Sequence, residues 1–179
     1  MGSEDRKEFH SVPDEHESDQ ECYHALAFYS LSHAGASFIH QHVVDAYTAQ
    51  HVSEETKPIA AAFALIGLYL HVECGYSGRE VQRAQRQLAG KRKSWPKFDA
   101  PQRPGDVSVS DVVSAPPGTL RDQAIEEWCA AVWTAWHGSR DLVRALVHAG
   151  LDGGEATRRQ AGRGLFVGRM PGRRSLNRR

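Results

Sequence analysis

The side chains of this chain that could do chemistry crowd into the stretch from Ala36 to Tyr76. Gln41, His42 and Asp45 fall on one side of a helix, where Asp45 reaches His42 at i+3 or Gln41 at i+4. Lys57, Tyr69, His71 and Glu73 follow on the next apolar segment. A carboxylate beside an imidazole orients it and raises its basicity, which suits general acid–base catalysis. The same pairing suits a buried polar network that fixes helix register. The catalytic candidates are therefore His42, Asp45 and His71, with Gln41, Tyr47, Lys57 and Tyr69 as candidate binding residues. Asp45 is the sharpest of them. Set among Val43, Val44 and Ala46, its carboxylate is costly to bury without a donor, and Lys57, Tyr69 and His71 are the donors within reach in sequence.

A second chemistry is metal binding. Neutral imidazole is the commonest transition-metal ligand, and bundles supply ligands from facing helices. His40, His51 and His71 are the candidate ligands for a divalent transition metal. His40 and His51 stand about 16 Å apart along a straight helix, so one ion takes only one of them. His71 and a further ligand, such as His24 or His137, would complete the set. Histidines satisfied by ordinary hydrogen bonds are the plainer alternative. No Ser or Cys is visibly paired with a base, and Cys74 and Cys129 read as core residues.

These groups need helices to position them. Ser37 is a good N-cap and Phe38 to His51 runs without Gly or Pro, with His40, Val44, Tyr47 and His51 on one stripe. The next helix starts from Thr56 as N-cap, carries Pro58 in its first turn and stops at Gly75. It is apolar all round, which predicts the most buried helix of the fold over Pro58 to Cys74. Its stripe of Ala60, Ala64 and Gly67 leads to His71, leaving space for a close crossing or a pocket.

The remaining elements follow from local signals. Ser18 with Glu21 predicts a first helix over Cys22 to His33. Ser77 with Glu80 opens a helix whose Val81, Ala84 and Leu88 face inward, while Arg79, Gln82, Arg83, Gln85 and Arg86 face out. Pro-punctuated Trp95 to Pro104 predicts an extended strap. Ser108 with Asp111 favours a short helix. Leu120 to His137 is a wide-faced helix carrying Trp128, Trp133 and Trp136, and Arg140 to Ala149 is amphipathic through Leu142, Leu146 and Val147. The reading is all-α: a single-domain helical bundle of five or six helices with an extended Pro-rich strap.

Composition bounds the rest. The 179 residues, 40% of them hydrophobic, fit one domain spanning 20–150, with an acidic tail over 1–19 and an Arg-rich tail over 151–179, both expected to be disordered. The zero net charge conceals eight acids before Cys22 and eight arginines after Glu155. That second run has no aromatic but Phe166, which argues against nucleic-acid stacking. No apolar run spans a bilayer, no signal peptide is visible, and three scattered cysteines suit a reduced, cytoplasmic protein without a membrane partner.

The strings FIHQHVVDAYTAQ (residues 38–50), KPIAAAFALIGLYLHVE (57–73), GREVQ (78–82) and WPKF (95–98), with Trp128-Cys129 ahead of Val132-Trp133, resemble an uncharacterised bacterial family, domain of unknown function 5946. Together they cover most of Tyr23 to Trp136. The resemblance implies no established activity. Three readings stand: an enzyme acting on a small molecule in an inter-helix pocket by acid–base or metal-assisted chemistry, a non-catalytic small-molecule binding protein, and an interaction module that forms a homo-oligomer.

Overall fold

The structure is a computed structural model that describes residues 15–33, 35 and 37–151, with side chains from residue 18. Among these residues there are seven α-helices and no strand, one helix more than the upper expectation. They are α1 (Glu15–Ser32), α2 (His40–Gln50), α3 (Pro58–Leu68), α4 (Gly78–Lys91), α5 (Val109–Ser114), α6 (Thr119–Ala135) and α7 (Arg140–Gly150). A π-helical turn, Tyr69–Glu73, extends α3, and a 3₁₀ turn, His137–Ser139, joins α6 to α7. No helix among the described residues is long and apolar enough to cross a membrane.

Helix α3 is central, as its all-round apolarity predicts. Ala61, Ala62 and the run from Ala64 to Leu70 are buried, and α2, α4, α6 and α7 all pack against it. Pro58 and Ile59, at its start, are exposed. The expected single helix to Cys74 changes pitch at Tyr69, where one π turn takes over and carries His71. Such turns recur at functional sites, because the wider turn re-aims a side chain within an otherwise regular helix. Gly75 ends the segment.

Two glycines permit close crossings. A Cβ on Gly67 would lie 2.0 Å from Asp45 Oδ2, so α2 can rest on α3 only while position 67 has no side chain. A Cβ on Gly78 would meet the Phe38 carbonyl oxygen at 1.9 Å. There the Gly78 N–H donates to the Ser37 carbonyl at 2.7 Å, tying the start of α4 to the turn before α2. Phe38 adopts a left-handed φ of 51°, so α2 begins at His40 rather than at Phe38, and Ile39 stands at its N-cap in place of Ser37. Arg79 covers the Phe38 ring at 5.2 Å.

The capping boxes of α4 and α5 form where the sequence places them, whereas Ser18 and Glu21 lie inside α1 and do not open a helix. The Ser77 N–H donates to Glu80 Oε2 at 2.9 Å, and the Ser108 N–H to Asp111 Oδ2 at 2.8 Å. Ser108 N–H and O–H together hold the Asp111 carboxyl below its ordinary value. Beyond α4 the strap is extended and pinned by its aromatics: Trp95 meets the Phe63 ring edge-on at 4.9 Å, and Phe98 meets Trp136 at 6.4 Å. Each of the three α6 indoles is buried with its N–H satisfied, Trp128 by Gln50 Oε1, Trp133 by Glu73 Oε1 and Trp136 by the Ala49 carbonyl. This is how a large amphipathic ring is buried without leaving an orphaned donor.

Three local expectations are corrected. Helix α1 starts at Glu15 rather than Cys22, so residues 15–19 of the expected acidic tail are helical; residues 1–14 and 152–179 lie outside the described residues. In α7 the buried face is Val143, Leu146 and Val147, while Leu142 is 44% exposed. Gln85, expected on the outer face of α4, is buried, because with Val81 and Leu88 it falls at i, i+4, i+7 on the inward stripe.

Candidate functional site

Helix α2 sends His42 and Asp45 inward one turn apart, and each is only 3% exposed. The Asp45 carboxyl sits over Gly67 and takes two amide donors on one oxygen: Gln41 Nε2 at 3.0 Å and Gln85 Nε2 at 3.4 Å, both to Oδ1. Gln85 also donates to the Phe63 carbonyl at 3.1 Å, joining α2, α3 and α4 in one polar joint. Oδ2 is buried with no hydrogen-bond partner among the described residues. Burial pushes the carboxyl well above the ordinary Asp range, and the two amides oppose it without prevailing. Burial thus favours the neutral acid form of Asp45 in the folded chain.

The donors expected from sequence do not reach it. Lys57 is exposed at the N-cap of α3. Tyr69 lies against Cys74 and Arg144, its hydroxyl pushed up to about 12, chiefly by burial. His71 turns to α6. Gln41 does belong to the Asp45 group, whereas Tyr47 stacks on Tyr23 at 4.0 Å in the seam between α1 and α2.

His42 and His71 meet face to face, their ring centroids 3.6 Å apart and their planes 16° from parallel. His42 Nδ1 is buried without a partner among the described residues. Burial, reinforced by the neighbouring His71, pushes His42 down to about 3, so its ring is neutral; Glu126 opposes that shift in part. The His71 Nδ1–H donates to the Tyr76 carbonyl at 3.1 Å, which fixes the tautomer of the neutral ring. Its Nε2 lies 2.8 Å from Glu126 Oε2, a close ion-pair contact off the line of an ideal hydrogen bond. The Glu126 carboxyl is held below its ordinary value, first by this contact with His71. The His71 side chain is 12% exposed and that of Glu126 53%, so the pair runs from the interior to solvent.

Cys129, fully buried on α6, rests its Sγ 3.8 Å from the His42 carbonyl; burial raises its thiol far above the ordinary value, leaving it unreactive. The proposed metal ligands are not brought together. His40 Nδ1 sits 2.9 Å from Ser30 Oγ, His51 Nε2 sits 3.4 Å from Asp19 Oδ2, and His71 faces Glu126. Among the described residues no three His, Cys, Asp or Glu side chains are placed to hold an ion, and His24 and His137 are exposed. A cavity of about 430 Å³ is lined by Arg103, Gly105, Asp106, Ala130, Ala131, Thr134 and Ala135, and none of the candidate site residues lines it.

The model of a family described as a family of unknown function, domain of unknown function 5946, matches residues 13–137. The chain belongs to that family. No curated protein and no solved structure matches it. The family match takes in α1 through α6, and therefore His42, Asp45, His71, Gln85 and Glu126, while α7 lies beyond it. Of the residues that compose the site, sequence reasoning missed Glu126 and Gln85. Gln85 carried the inward spacing already noted; Glu126 stands beside Glu127 and reads as part of a solvated pair.

The neutral state of Asp45 has a measurable consequence. The folded chain keeps a proton that the unfolded chain releases at the ordinary Asp pKa, so stability falls as pH rises from there toward the raised value. Asn has the shape of the protonated acid and does not titrate. Urea midpoints of Asp45→Asn are expected to lack that part of the decline, with the difference from the parent widening as pH rises above the ordinary Asp value. A pH-independent difference would mean that Asp45 is ionised in the fold.

Proposed function

We propose that this chain is an enzyme that performs acid–base chemistry on a small polar molecule at the His71–Glu126 pair. The observation that carries this reading is the 2.8 Å contact between His71 Nε2 and a half-exposed carboxylate, with Nδ1 anchored on the Tyr76 carbonyl. An imidazole restrained at one nitrogen and paired with a carboxylate at the other can take or give a proton at a defined position, which is worth typically 10²- to 10⁴-fold in rate. The π turn supports the reading, because it places His71 at the end of the most buried helix yet within reach of solvent. Asp45, read from sequence as a carboxylate that could orient a catalytic imidazole, is better suited to holding α2, α3 and α4 together, since its hydrogen bonds run to Gln41 and Gln85 and to no imidazole.

The test is a turnover screen with activated esters, phosphate esters and glycosides, using the full chain, His71→Gln and Glu126→Gln. The expected result is one class hydrolysed by the parent and slowed about 100-fold or more in both variants, with little change in melting temperature. Turnover that survives both changes, or none in any class, would overturn it. Saturable binding of one of these compounds without turnover would favour the non-catalytic small-molecule reading instead.

A further inference from the structure

The stack beneath His71 has a role that the contact with Glu126 alone does not supply. His71 hangs from the Tyr76 carbonyl by a single ring hydrogen bond and meets Glu126 off the hydrogen-bond line, so the ring keeps freedom to rock about that pivot. The second restraint is the face of His42, 3.6 Å away and nearly parallel. His42 is itself fixed by burial on α2, one turn from the Asp45–Gln85 joint, with Cys129 against its backbone carbonyl. The titratable groups that face it are His71 from the π turn and Glu126 and Cys129 from α6. Resting on the acid–base reading above, we propose that His42 is the positioning residue of the site: its ring holds His71 in the plane that points Nε2 at Glu126. A neutral ring suits that place. When His71 carries a second proton during acid–base exchange, the π face of an uncharged neighbour is attractive to it, whereas a second imidazolium would repel it.

The inference separates shape from charge. His42→Phe keeps an aromatic face and removes both ring nitrogens; His42→Leu removes the face. Long-range ¹⁵N spectra of the imidazoles in the full chain report whether His71 keeps its proton on Nδ1. His42→Phe is expected to leave the His71 signals and any turnover near the parent's. His42→Leu is expected to average the two ring nitrogens of His71 and to reduce turnover about 100-fold, the scale of a small misplacement of a reacting group. Should His42→Leu not fold, His42→Gln, which also lacks a ring, replaces it. Unchanged His71 signals in the ring-less variant would overturn the proposal, and so would equal losses in the Phe and Leu variants. A parent without turnover whose His71 signals still respond as expected would sink the acid–base reading and leave the positioning role standing.

Discussion

Replacing Gly67 with alanine is expected to destabilise the fold by about 3 kcal/mol, the upper part of the range for overpacking a tight core. The added methyl would need space now held by the Asp45 carboxyl, with Oδ2 2.0 Å and Cγ 2.5 Å from the new carbon. Neither partner can yield easily. Asp45 is held by Gln41 and Gln85, and Gln85 is also bonded to the Phe63 carbonyl, so moving the carboxyl disturbs three helices. The melting temperature is expected to fall by about 10 °C, given the usual conversion for a domain of this size. Asp45→Ala removes the group the methyl strikes, at the cost of leaving two amides without their acceptor. The double variant Gly67→Ala/Asp45→Ala is therefore expected to be more stable than the sum of the single losses predicts, by at least 1 kcal/mol of coupling, about the scale seen for residues in contact. Strict additivity in urea melts of the four proteins would show that the two positions do not meet.

That crossing also shows what a single sequence can and cannot disclose. The stripe of Ala60, Ala64 and Gly67 predicts either a close crossing or a pocket, and the outcome is a crossing, because the space above Gly67 is filled by Asp45. The capping boxes of α4 and α5, the extended strap and the burial of α3 were legible because each depends on residues within a few positions of one another. The pairing of His71 with Glu126 was not. The two residues are 55 positions apart, and nothing in the spacing of Glu126 and Glu127 tells which faces the interior. Asp45 was legible as a buried acid, but its partners were not. The ionic and hydroxyl donors of α3 and its π turn all found other neighbours, and two amides took their place. The start of α2 was misplaced for a different reason: Ser37 is a good cap in isolation, but the docking of Gly78 on Ser37 and Phe38 forces Phe38 into a left-handed turn that no helix can include.

Acid should unfold this protein largely through His42. Its ring is pushed down to about 3 in the fold, whereas an unfolded histidine titrates near its ordinary value of 6.5. Between those two values the unfolded chain carries a proton that the folded chain refuses. Stability is then lost as pH falls below the unfolded value, by about 1.4 kcal/mol per pH unit. By pH 4.5 the loss from this residue is roughly 2 to 3 kcal/mol, and it keeps growing until the folded ring itself accepts a proton. Asp45 acts in the opposite direction, since its folded form holds a proton that the unfolded chain releases above the ordinary Asp value. The overall profile therefore mixes the two, and the His42 share is isolated by difference. His42→Phe retains an aromatic face and cannot titrate. Its unfolding free energy minus the parent's is expected to be flat from pH 7 to 8 and to rise steadily in the variant's favour as pH drops from 6.5 toward 4. A difference that stays level across that range would mean that His42 is protonated in the fold, and the neutral ring beneath His71 would have to be abandoned with it.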